Sequence, residues 1–416
     1  MARLSRIHPY PAMIANELAD DLCARFVKRN DRVLDPFCGT GRTLLASAEV
    51  GAHIVGIDIN PLAIMLTRAK AGNPSPDKLR QVLEKIPQVR HHVKVRDAEI
   101  KDLEPGRSVD WFSLTCKKEL CEIIQWLNRL RISEDEILLL ASVLSATVRE
   151  VSYCRQDQWK LHRLSANERR TFNKSAWSIF ERRFRVILGE LQSLPKLSGE
   201  CKVILGDARL LKDTLTSHQV NDLFDVVITS PPYGDSRTTV SYGGISGICL
   251  GVLRQLRALQ IPFLDSGAID RLCLGGAITK SGLANFDKEI ELRRYWCGGK
   301  FNSSRERVLQ FLYDIENCCE QMSGVIRPEG KIIIVVARRT VSGHRVYLDK
   351  FLIDKMWELG YSLEAYNSRL IAGKNTPKVI NKNGHGSGSL TNRGRVVTIK
   401  EEFVLVFRKT RFSYRQ

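Results

Sequence analysis

Short apolar runs recur at 33–34, 54–57, 203–205, 226–228, 332–337 and 403–407, each bounded by charged residues, His, Gly or Thr. Runs of this length, rich in Val and Ile, predict strands over 32–35, 53–57, 202–205, 224–228, 331–336 and 402–407, with a further one over 361–365. Between the first two lie a glycine turn and an amphipathic stretch over 43–49, so strand, turn, helix and strand make a βαβ unit of a parallel sheet. Gly72-Asn73-Pro74-Ser75-Pro76 ends the next helix. The period then changes. Over 111–129, 134–152 and 166–194 apolar residues recur at spacings of three and four, which predicts a helical insertion that interrupts the sheet. Gly330 predicts a turn into the strand at 331–336, residues 348–359 a helix, and the Gly-, Asn- and Ser-rich stretch 381–394 a mobile loop between the last two strands.

The chain therefore divides into a first part of a catalytic domain over 1–76, the helical insertion over 77–199, a continuation of the catalytic domain over 200–235, a second excursion over 236–325, and completion of the sheet over 326–416. A chain of 416 residues with 43% hydrophobic residues is long enough to bury a core. Its formal net charge of +18 points to a polyanionic partner. Basic residues cluster in the insertion (Arg129, Arg131, Arg149, Arg155, Lys160, Arg163, Arg169, Arg170, Lys174, Arg182, Arg183 and Arg185) among Trp159, Phe172, Trp177 and Phe180, as on a phosphate-tracking face. The second excursion carries Arg254, Arg257, Lys280, Lys288, Arg293, Arg294, Lys300, Arg305 and Arg307, so either region is a candidate for DNA recognition. The 11 cysteines show no C-x-x-C pair and no zinc-ligand spacing, so neither a metal site nor a disulfide framework is expected. No apolar run reaches the roughly 18 residues of a membrane span, and residues 1–14 lack the apolar run of a signal peptide; cytoplasmic residence is expected.

Candidate chemistry begins at Asp35-Pro36-Phe37-Cys38-Gly39-Thr40-Gly41, with Asp58 ending the next strand 23 positions after Asp35. A glycine turn admits a ligand close to the backbone, and a carboxylate about 20 residues on accepts hydrogen bonds from ribose hydroxyls. An acid at the start of the turn disfavours a pyrophosphate and suits a cation. At this point the chain resembles the class I methyltransferases. The resemblance implies a seven-stranded, mostly parallel α/β sheet of Rossmann-like type, and S-adenosyl-L-methionine as cofactor. It also implies that Gly39 and Gly41 face the methionine part, Asp58 the ribose, the Ile59-Asn60-Pro61-Leu62 stretch the adenine, and Asp207, followed by Ala208, the adenine amino group. His8-Pro9-Tyr10 resembles a segment that closes over the methionine end; His8 is open to a packing role as much as to that of a base. With Asp35 and Phe37 these residues make up the expected cofactor set, and Cys38 is filler in the turn.

The second signal is Thr229-Ser230-Pro231-Pro232-Tyr233-Gly234, which follows a predicted strand. The two prolines have no N–H and fix the backbone direction, so the carbonyls of Ser230 and Pro231 can accept from an exocyclic amine, and Tyr233 offers a face on which a base taken out of the duplex can stack. Ser230, Pro231, Pro232 and Tyr233 are thus the candidate catalytic residues. Asp235 and Arg237 are better suited to ordering the following loop. The tetrapeptide resembles the fourth motif of the amino-group DNA methyltransferases, and Ser in its first place resembles their cytosine-N4 branch. After Tyr242 the sequence Gly243-Gly244-Ile245 departs from the Gly-Gln-Phe of that branch. The resemblance implies a site-specific enzyme acting on double-stranded DNA with base flipping, beside a restriction endonuclease acting separately, in the nucleoid. Adenine N6 as target, an RNA guanine-N2 enzyme, and a non-catalytic DNA-binding adaptor are the alternatives.

Overall fold

The structure is a computed structural model. It describes residues 4–11, 13–90, 92–103, 110–157, 161–194, 197–235, 242–262, 264–279, 294–296, 303–341, 344–371, 379–381, 395–397, 399 and 401–410. Seven strands, β1 (Arg32–Asp35), β2 (His53–Asp58), β3 (Cys201–Leu205), β4 (Phe224–Thr229), β5 (Ile326–Val336), β6 (Tyr361–Leu370) and β7 (Glu401–Lys409), form one sheet in the order β3-β2-β1-β4-β5-β7-β6. The β2–β3, β1–β4 and β4–β5 pairs are parallel, and β7 runs antiparallel to both β5 and β6.

The chain forms two compact units, Met1–Cys23 with Cys38–Leu205 and Val240–Asp270, and Ala24–Phe37 with Gly206–Thr239 and Arg271–Gln416. In the first, β2 and β3 are accompanied by α1 (Asn16–Phe26), α2 (Arg42–Val50), α3 (Pro61–Ala71), α4 (Leu114–Leu127), α5 (Glu134–Val151), α6 (Ala176–Gln192) and α7 (Tyr242–Leu253). The interior face of the inserted helices is made from Leu139, Leu140, Val143, Leu144 and Val148 of α5, and from Trp177, Phe180 and Phe184 of α6. The predicted helix over 166–194 is broken, because Ser175 accepts from the Ser178 N–H and starts α6 afresh after Ala166–Arg170.

Of the aromatic residues expected on a phosphate-tracking face, Trp177 and Phe180 are core, whereas Phe172 is half-buried against Tyr153. Trp177 and Phe180 pack beside Trp126, and the Trp177 indole donates to Glu122 at 2.8 Å. Many of the basic residues around them are tied to acids: Arg182 and Arg183 to Glu150, Arg185 to Glu181 and Arg155 to Glu168, while Arg149 donates to the Pro9 carbonyl. An amphipathic helix needs apolar residues for its inner face, and in α6 Trp177, Phe180 and Phe184 supply it. Trp159, Lys160, Arg237, Lys280, Lys288, Arg293 and Lys300 lie outside the described residues.

In the second unit β5 is longer than predicted. Pro328-Glu329-Gly330 is an irregularity within the strand rather than a turn before it, since the register with β4 passes from Phe224↔Ile326 to Val226↔Lys331. Ile332 to Val336 are wholly buried, and Phe403 to Phe407 beside them nearly so. Between β6 and β7, Val379–Asn381 pairs antiparallel with Arg395–Val397 on either side of the expected loop, whose residues 382–394 lie outside the described residues. The helices α8 (Ser303–Ser323) and α9 (Leu348–Glu358) complete this unit.

Candidate active site

In the first unit the glycine loop is shaped by its own backbone and clamped by α3. Gly39 and Gly41 have φ of +51° and +77°, the left-handed region that side chains resist. A Cβ on Gly41 would meet Thr67 Cγ2 at 2.5 Å, whereas one on Gly39 would meet nothing within 4 Å. The loop is thus held close to α3 at Gly41 and presents open backbone at Gly39. Thr67 donates to the Gly39 carbonyl at 2.9 Å and Lys70 to that of Thr40 at 3.0 Å. At the end of β2, Asp58 accepts from the backbone N–H groups of Gly39 at 2.9 Å and Asn60 at 2.8 Å. These bonds fix the carboxylate against the loop. Loss of water lifts its pKa to about 6, against the pull of the Asn60, Gly39 and Ile59 N–H groups.

Asn60 caps α3 by accepting from the Leu62 N–H, and its amide donates to the Tyr10 hydroxyl at 2.8 Å and to Ser246 of α7 at 2.9 Å. One side chain therefore joins the N-terminal segment, α3 and α7. His8 is buried, hydrogen-bonded to the Pro9 carbonyl at 2.8 Å, with its pKa lowered to about 3 by burial and by Arg149. It is neutral at physiological pH and packs the segment that carries Tyr10.

In the second unit Asp35, at the end of β1, accepts from the Phe37 N–H at 3.0 Å and from the Thr229 hydroxyl at 2.6 Å. The acid at the start of the glycine turn thereby holds the end of β4, where Ser230-Pro231-Pro232-Tyr233 begins. Pro231 is buried, and Ser230, Pro232 and Tyr233 are half-buried. The Tyr233 hydroxyl lies 3.2 Å from Ser230 Oγ and donates to Glu402 Oε1 at 3.1 Å. Asp235, just beyond, forms a buried ion pair with Arg339 at 3.1 Å. Asp207 and the buried Ala208 form a separate turn, where Arg209 grips the Asp207 carboxylate at 2.6 Å and reaches Asp314 of α8 at 3.2 Å.

The first unit thus gathers His8, Tyr10, Gly39, Gly41, Asp58, Ile59 and Asn60. The second joins Asp35 and Phe37 to the tetrapeptide and ties Asp207 to α8. Glu402, Arg339 and Ser246 carry no sequence signal: each is an ordinary polar residue whose partner lies far along the chain. Among the described residues no group of three or more His, Cys, Asp or Glu is placed to hold a metal, and no helix is long and apolar enough to cross a membrane.

The strand order with an antiparallel β7, the glycine loop and the acid at the end of β2 are features of the class I, S-adenosylmethionine-dependent methyltransferase fold. Residues 3–68 match the DNA methylase family N6_N4_Mtase. The chain is 28% identical over 415 residues to the Type II methyltransferase M.MvaI of Kocuria varians, covering 93% of this chain and 89% of that one. It is 24% identical over 351 residues to the Type II methyltransferase M.BsoBI of Geobacillus stearothermophilus, covering 71% and 65%. A short stretch of 52 residues, 12% of this chain and 16% of the other, is 42% identical to a tRNA (guanine(10)-N2)-dimethyltransferase of Methanothermobacter thermautotrophicus. The chain is thus similar, over most of its length, to DNA methyltransferases, and in its first 68 residues to those of the N4/N6 amino-methylase group.

Proposed function

We propose that this enzyme methylates N4 of a cytosine at a specific sequence in duplex DNA, as the modification partner of a separately acting restriction endonuclease in the cytoplasm. The observation that carries the choice of cytosine is Ser230: a neutral hydroxyl, rather than an Asp or Asn side chain, heads the tetrapeptide at the end of β4. The length over which the chain matches two Type II methyltransferases supports the pairing with an endonuclease.

The open backbone at Gly39 and the anchored carboxylate of Asp58 suit a nucleoside bearing a small charged group. Bound S-adenosylmethionine supplies an electrophilic methyl group on a sulfonium sulfur. Gly39, Gly41 and Phe37 border its methionine part, with Asp35 supporting the turn; Asp58 accepts from the ribose hydroxyls; Ile59, Asn60, Asp207 and Ala208 frame the adenine; and His8 and Tyr10 shape the covering segment. Ser230 and Pro231 accept hydrogen bonds from the target amine, Pro232 fixes the direction of the turn, and Tyr233 stacks on a base turned out of the duplex. The helical insertion and the second excursion are the regions proposed to read the DNA.

Expression in a host without DNA methylation, followed by mass spectrometry and single-molecule sequencing of its genome, is expected to show N4-methylcytosine at one short recurring sequence. N6-methyladenine would overturn the cytosine assignment and leave the group unchanged. Cofactor binding should also depend on pH. Ribose hydroxyls donate to the ionised form of Asp58, whose pKa is about 6. Affinity for S-adenosylmethionine, measured by calorimetry, should be level above that value and fall about tenfold per unit below it, and Asp58→Asn should remove the dependence.

A further inference from the structure

We infer that Glu402 sets the direction of the hydrogen bonds behind the target amine, making the Ser230 hydroxyl an acceptor. The inference rests on the reading of Ser230 to Tyr233 as the site that holds the amine. Glu402 lies at the start of β7, is only 9% exposed, and faces Arg369 across the β7–β6 pair. Its Oε2 lies 3.5 Å from Arg369 Nε, and its Oε1 accepts from the Tyr233 hydroxyl at 3.1 Å. An ionised carboxylate can only accept hydrogen bonds, so the single phenol proton is committed to Glu402. Towards Ser230 Oγ, 3.2 Å away, the phenol oxygen can then only accept. The serine proton is used in that bond, and the Ser230 lone pairs are left for an N–H group.

Two hydroxyls in contact have no preferred direction of their own: either can donate. In the wrong direction Ser230 would present its O–H to the amine, opposing a group that must itself donate. A carboxylate at the end of the chain removes this choice and, in a poorly hydrated setting, polarises both bonds in the same sense. A neutral serine thus takes on part of the acceptor strength that a carboxylate in its place would have, from an acid two side chains away. Glu402 is a positioning residue that acts through Tyr233.

The test measures single-turnover methyl transfer to genomic DNA from a methylation-free host, using the full chain and labelled S-adenosylmethionine, with cofactor affinity followed by calorimetry. Glu402→Gln preserves shape but can donate as well as accept; Tyr233→Phe keeps the ring and cuts the chain of hydrogen bonds. Each should lower the rate by about tenfold to a hundredfold with cofactor affinity unchanged, and the double variant should be no slower than the slower single one. A Glu402→Gln enzyme at the normal rate, or losses that multiply in the double variant, would overturn the inference. Ser230→Ala separates this from the reading beneath it. If Ser230→Ala keeps the full rate, the Ser230 hydroxyl does not hold the amine, only the carbonyls of Ser230 and Pro231 remain as its acceptors, and the inference falls; if it is slow while Glu402→Gln is not, only the role of Glu402 falls. Should Glu402→Gln fail to fold, the Ser230→Ala and Tyr233→Phe pair decides: losses that do not add support the inference, and independent losses refute it.

Discussion

Replacing Tyr233 with alanine should leave S-adenosylmethionine binding intact and slow methyl transfer by about a hundredfold or more. Two losses combine. The first is the flat face for the base, worth about 1–3 kcal/mol for an aromatic stack on a nucleobase. The second is the phenol that connects Ser230 to Glu402. The bonds that hold Asp58 and Asn60 run to the Gly39 and Asn60 N–H groups and to the Tyr10 hydroxyl, none of which the substitution changes. Calorimetry with the cofactor and single-turnover transfer on unmethylated DNA separate the two steps. Transfer at the normal rate would show that Tyr233 does not hold the base.

A second large effect is expected on stability. Arg339→Met should destabilise the fold by about 3–5 kcal/mol, the usual cost of removing one member of a buried ion pair. The carboxylate of Asp235 is 2% exposed and loses a guanidinium 3.1 Å away. Because Asp235 follows the tetrapeptide by two residues, the loss should also loosen Tyr233 and lower transfer. Urea unfolding of Arg339→Met and of the double variant Asp235→Leu with Arg339→Met provides the check: removing both charges should recover most of the stability. Equal destabilisation of the two would mean that packing, not the uncompensated charge, dominates at this point.

Much of the catalytic domain was legible because its signals are local. The strand-glycine-helix pattern around Asp35, Asp58 at the end of the next strand, and Ser230-Pro231-Pro232-Tyr233 after β4 each occupy a few consecutive residues. Backbone restrictions on Gly and Pro act within such a stretch whatever surrounds it. Legibility failed where two faces of one element compete. Trp177 and Phe180 lie among basic residues that suggest a phosphate-tracking face, although Trp positions in such helices are mostly core, and the packing around Trp126 places both inside. It failed again at Pro328 to Gly330, whose turn-like residues are absorbed as an irregularity because Lys331 to Ile334 are already paired with β4.

The sequence by itself determined the cofactor class, the alternation of strands and helices, and the proline turn Ser230-Pro231-Pro232-Tyr233 after β4. Only the tertiary structure decided which side chains stand behind that turn. Glu402 is 169 residues from Tyr233 along the chain and reaches it because β7 enters the sheet antiparallel, next to β5. Asp35 reaches Thr229 across 194 residues because β1 and β4 are neighbours. Such contacts depend on strand order, which is set by burial of the whole sheet and leaves no mark on the few residues at either end of the bond.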